Sequence, residues 1–163
     1  LNHSKMAIDH FISNDYTKYC DHWISYVTRE YLKYDTSDKY ISFALNNYTL
    51  NINKFNKNAF IPTNLELLTT VYQTYYDLND KNISNKAKLN FNIDELNKKI
   101  NKELNILLSF YLTNGLSIYY KNPDKITGGF YSLNDDYIMR IDDIQHSLLG
   151  IINYLEIRKW YIF

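Results

Sequence analysis

The chain has 163 residues, of which 45% are hydrophobic and 17% aromatic, and its eighteen basic side chains are matched by eighteen acidic ones. That length suits one compact domain, and the apolar content is too high for a disordered chain. Balanced charge provides no global positive field for nucleic acid or an anionic membrane. The apolar runs Ile106 to Leu112 and Leu148 to Ile152 fall far short of the roughly 20 residues a membrane helix needs.

Trp23, Tyr26, Val27, Tyr31 and Tyr34 recur at helical spacing and predict a helix over 21–34, and Tyr40, Phe43, Ala44 and Tyr48 predict a second that folds back on it. Pro62 breaks the chain. Thr63 followed by Glu66 has the capping-box spacing, so a third helix is expected to start at Thr63 and bury Leu65, Leu68, Val71, Tyr72, Tyr75 and Tyr76. Asn92 and Glu95 repeat the cap pattern before a fourth helix that reaches Asn114-Gly115, antiparallel to the third. From Leu116 to Ile141 the periodicity is lost. Ser117 to Tyr120 and the Gly128-Gly129 stretch read as short extended pieces, a β-like loop before the last helix. That last helix carries Ile144, Leu148, Ile151, Ile152 and Leu155. The expected fold class is therefore all-α, built of antiparallel helical hairpins, with residues 1–163 as a single domain. The chain begins at Leu1 without a charged-then-apolar leader and reads as a fragment of a longer protein, whose other domains are possible partners.

Candidate chemistry concentrates at the start of the last helix, in GGFYSLNDDYIMRIDDIQHSLLGI. Asp142 and Gln145 have capping-box spacing, and Arg140 can pair with Asp142 or Asp143, an exposed contact worth about 0–1 kcal/mol. Capping alone accounts for those residues taken singly. His146, in the first turn of a helix starting at Asp143, would be held as the neutral base near the positive end of the helix dipole. Phe130 and Tyr131 offer flat apolar faces beside a glycine loop, and Asp142 or Asp143 could bind hydroxyls or move protons, a combination suited to sugars. Adjacent carboxylates cannot flank a glycosidic bond, which needs roughly 5–10 Å between them, so a partner acid is sought at Asp21 or Glu66. No histidine pair has the close helical spacing of a zinc motif, so no metal or other cofactor is expected. Cys20 and His22, two residues apart, point away from each other on a helix and make no nucleophile-base pair; a lone cysteine also excludes an internal disulfide.

Three stretches, DHWISYVTREYLKYDTSDKYISFAL, PTNLELLTTVYQTYYDL and GGFYSLNDDYIMRIDDIQHSLLGIINYLE, resemble hairpins of the α/α-toroid superfamily, shared by glycoside hydrolases, sugar epimerases, polysaccharide lyases and terpenoid cyclases. The resemblance implies that Asp142, Asp143, Gln145 and His146, with Asp21, His22, Thr63 and Glu66, lie at the mouth of a central cavity. A closed ring has more helices than this chain supplies, so a partial toroid is implied. The aspartate-rich cyclase motif is missing, which removes terpenoid chemistry. The expected function is binding or processing of a glycan, with Asp142, Asp143 and His146 catalytic and Trp23, Phe130, Tyr131, Arg140, Gln145, Asp21 and Glu66 in contact with substrate. The alternative is a non-catalytic helical scaffold that uses its tyrosines as an interaction surface.

Overall fold

The computed structural model describes residues 2–16, 21–54, 62–80, 92–131 and 139–159. The described residues form helices α1 (Asn2–Ser13), α2 (His22–Leu32), α3 (Asp38–Lys54), α4 (Pro62–Asp80) and α5 (Ile93–Ser109). Two single turns follow, α6 (Asn114–Ser117) and α7 (Pro123–Ile126), and then α8 (Ile141–Lys159). No strand occurs among them, and the fold class is all-α. Cys20 lies outside the described residues.

Helix α4 is the axis of the molecule. Every residue from Asn64 to Thr74 is buried, so no single apolar stripe describes it. Its threonines are satisfied within the helix: the hydroxyls of Thr69, Thr70 and Thr74 each donate to the carbonyl four residues back, at 2.8, 2.9 and 2.8 Å. Around it pack α2, α5 and, most extensively, α8.

Contacts fix the helix directions. Tyr31 of α2 stacks edge-on against Tyr40 of α3, and Asn47 of α3 reaches back to Ser25 of α2, so α2 and α3 are antiparallel. The late α5 residue Glu103 meets the early α4 residue Asn64, which makes α5 antiparallel to α4. By contrast, His146 meets Glu66 and Glu156 meets Gln73, so α8 runs parallel to α4; Tyr26 meets Glu66 and Arg29 meets Asp77, so α2 does too. Three parallel helices therefore begin at the same end. Gly150 permits the closest approach between α4 and α8: a Cβ there would lie 3.0 Å from the Glu66 backbone nitrogen and 3.1 Å from Leu65 Cβ.

Several boundaries differ from the sequence expectation. Helix α1 was not foreseen; its Ile8 joins the core and Asp9 binds Lys5, Lys39 and the Tyr40 hydroxyl. Helix α5 stops at Ser109 rather than near Gly115, and residues 114–117 form the separate turn α6. Ser117 to Tyr120 is not extended. The only extended pairing described is a bridge between Tyr111 and Phe130, flanked by Leu112 N–H to Gly129 O at 2.8 Å and Gly128 N–H to Leu112 O at 2.9 Å. Gly128 has φ +88°, which suits only glycine well. Those glycines thus clip the loop to residues 110–112.

Candidate functional site

At the shared N-terminal end of α2, α4 and α8, four polar side chains meet. Helix α2 starts at His22 because Asp21 caps it, its carboxylate accepting from the backbone N–H groups of Trp23 and Ile24 at 2.9 and 3.3 Å. His22 is thereby fixed as the first helical residue, and Tyr26 follows one turn later on the same face. Glu66 is the fifth residue of α4 and points between α2 and α8, where it is 1% exposed. His146 is the sixth residue of α8, in its second turn rather than its first.

The Glu66 carboxylate is shared between two partners. Its Oε1 accepts from the Tyr26 hydroxyl at 2.6 Å, and its Oε2 lies 2.6 Å from His146 Nδ1. Neither histidine is far from the other: the rings of His22 and His146 meet edge to face with centroids 5.0 Å apart. Trp23 packs over both, 4.8 Å from His22 and 5.8 Å from His146, and is itself half exposed, so it forms the outer wall of the cluster. Within this cluster His22 Nε2 is buried and has no hydrogen-bond partner, as is true of four other side-chain atoms among the described residues. Burial pushes the His22 imidazole below its ordinary value, against the opposing pull of Glu66 and Asp21, and favours its neutral form. Burial and the neighbouring Glu66 carboxylate push the Tyr26 phenol upward, so it remains a proton donor to that carboxylate.

This arrangement can hold and move a proton. A carboxylate that accepts His146 Nδ1–H fixes the tautomer and leaves Nε2 with a free lone pair, while Tyr26 pins the carboxylate in place. Two imidazoles and a carboxylate are also competent metal donors, and the donor atoms of His22, Glu66 and His146 all lie within 4.8 Å of one another.

Other residues singled out in the sequence have different positions. Asp142 lies inside α8, not at its cap, and pairs with the Arg140 guanidinium at 2.8 and 3.2 Å, an exposed contact. Gln145 is exposed on the same helix, and Asp143 is partly buried in its first turn. Thr63 is inside α4, which starts at Pro62, so Glu66 is not the third residue of a capping box. Phe130 is 2% exposed and its ring packs against Tyr111, which leaves it no open face for a ligand. Tyr131 packs against Phe110. Asp21, Trp23, Glu66 and His146 are the predicted residues that gather at the cluster. Tyr26 was read only as part of an apolar stripe, and His22 was set aside as a base for Cys20 and placed at a cavity mouth only through the resemblance; a Tyr four residues after a His on one helix face was the available signal. No protein family, curated protein or solved structure matches the chain.

Proposed function

We propose that the chain is a carbohydrate-processing domain, an arc of an α/α toroid, that abstracts or delivers a proton on a glycan at the end where α2, α4 and α8 begin. The observation that carries this reading is the Tyr26–Glu66–His146 hydrogen-bond chain, 2.6 Å at each link and anchored on a carboxylate almost fully removed from water. A buried carboxylate with two charge-assisted hydrogen bonds costs too much desolvation to be incidental, and its effect is to orient one imidazole. His146 is the base or acid, Glu66 and Tyr26 are its positioning residues, and Trp23 is the flat face on which a sugar ring stacks. Helices that alternate in direction, with the parallel ones contributing the polar cluster, support the toroid arc.

The chemistry favours an epimerase or lyase over a glycoside hydrolase. Hydrolysis uses two carboxyl groups set about 5–10 Å apart across the bond, whereas at this cluster the one buried carboxylate is Glu66, and Asp142 is tied to Arg140. Incubation with a panel of uronic-acid and N-acetylhexosamine oligosaccharides in D2O tests the reading. Deuterium incorporation or unsaturated products are expected with the wild type and are lost in His146→Ala. Equal turnover in the two proteins, or none by the wild type across the panel, would overturn it.

A further inference from the structure

The His146–Glu66 contact leaves one fact unexplained. His22 Nε2 is buried beside that pair and makes no hydrogen bond. Thr28 Oγ1, Gln73 Oε1, Ser147 Oγ and Asn153 Nδ2 are also buried without a partner, and what sets His22 Nε2 apart is the pair of metal-competent side chains beside it. An imidazole nitrogen, a buried carboxylate oxygen and a second imidazole within 4.8 Å form the donor set of a two-histidine, one-carboxylate metal site.

We propose that His22, Glu66 and His146 bind one divalent first-row transition-metal ion, with zinc as the representative, and that Tyr26 holds the ligating carboxylate in place. This inference goes beyond the glycan reading and stands on the donor set alone. Bond lengths of about 2.0–2.2 Å to nitrogen and oxygen put two ligands of one ion at most about 4 Å apart, so a spread of up to 4.8 Å closes with side-chain shifts under an ångström. The close His146–Glu66 pair must open on binding: the ion takes the place of the proton on His146 Nδ1, which passes to Nε2, so that the neutral imidazole binds as its other tautomer. Oxygen-seeking magnesium and calcium do not suit a site with two imidazoles. Tyr26 donates to Glu66 Oε1 and leaves Oε2 for the ion, the outer hydrogen bond that ligating carboxylates usually have. Three ligands leave a coordination position open, and the exposed edge of Trp23 marks the side from which solvent or substrate reaches it. Each ligand comes from a different helix, which is why no sequence spacing announces the site.

The test uses the whole chain, stripped by chelator and titrated with Zn(II) and separately with Co(II), read by calorimetry, metal analysis and visible absorption. One ion per chain, a Co(II) ligand-field band and a raised Tm are expected. His22→Ala should weaken binding at least as much as the roughly 10 to 100-fold that loss of an outer hydrogen-bond partner costs, Tyr26→Phe should fall within that range, and the exposed His10→Ala should change nothing. His22→Ala leaves the Glu66 hydrogen bonds in place, so it remains informative if His146→Ala does not fold. Absence of stoichiometric binding by the wild type, or wild-type affinity in His22→Ala, would overturn the proposal. Deuterium incorporation that persists in chelator would then leave the proton-transfer reading standing without the ion. One bound ion with no turnover on any glycan would support the site and sink the glycan reading.

Discussion

Glu66 carries the largest individual commitment, since a carboxylate at 1% exposure is tolerated only while its hydrogen bonds are intact. Tyr26→Phe deletes one of them without changing shape, and should cost about 1–3 kcal/mol in urea unfolding; no change would mean that water replaces the phenol. Glu103 is a second buried acid with a different consequence. Burial raises its carboxyl above the ordinary 4.5, with the Asn64 amide and Lys102 opposing. The folded chain therefore binds this proton more tightly than the unfolded one, so the group favours folding at low pH and loses that contribution as pH rises above 4.5. Glu103→Gln should raise Tm at pH 7 and converge with the wild type near pH 4, and parallel Tm curves would contradict this. Residue roles were legible in part. His146, Glu66 and Asp21 were visible as helix-start residues and Trp23 as a ligand contact on a helical stripe, but the capping role of Glu66 was not real. Pro62 takes the first helical position, which moves Thr63 inside the helix and frees Glu66 to face its neighbours.

Gly150 decides how closely two elements approach. A methyl there meets Glu66 backbone and Leu65 at 3.0 to 3.1 Å, and backbone cannot swing aside, so Gly150→Ala should separate α4 from α8. Overpacking costs about 1–3 kcal/mol against a helix-propensity gain of up to about 1, so a net loss of stability is expected, with a shifted His146 ring resonance in NMR. A more stable variant with an unchanged resonance would show that the interface has slack. Helix α1 depends on Asp9, whose carboxyl the ammonium groups of Lys39 and Lys5 hold down to about 2. Its contribution to stability is present above the ordinary 3.8 and is lost as pH falls toward 2. Asp9→Asn should speed hydrogen exchange in α1 and leave α4 protected. Among elements, α2, α3, α4, α5 and α8 were readable from periodicity and α1 was not singled out. The overshoot of α5 came from Asn114-Gly115, which reads as a helix stop, whereas the chain has already left the helix where Leu112 pairs with Gly128-Gly129.

Over the whole molecule, the inner face of α8 is Ser147, Gly150, Asn153 and Ile157, all buried, and the opposite face carries Leu148, Ile152 and Leu155 at about half exposure. Such a stripe is an exposed apolar surface of the kind that packs against another protein element. In the isolated chain it contributes little, so Leu148→Glu with Ile152→Glu should leave unfolding stability within about 0.5 kcal/mol per site while lowering aggregation on sizing columns. A large loss would place those side chains in a core. The antiparallel pairs α2 with α3 and α4 with α5 were readable from the sequence, but which helices lie side by side was not, because periodicity reports a face and not its neighbour; only contacts across dozens of residues, such as Tyr26 with Glu66 and Glu66 with His146, reveal that α2, α4 and α8 start together.

The central claim is that this convergence makes a working site, and the most direct measurement is deuterium incorporation from D2O into a glycan panel by the wild type and by His146→Ala, both checked for folding by circular dichroism. The account predicts incorporation by the wild type and loss of at least the roughly 100-fold that a positioned acid or base contributes in the variant, with the helical signal intact. Equal incorporation by the two folded proteins, or none by the wild type across the panel, would contradict it.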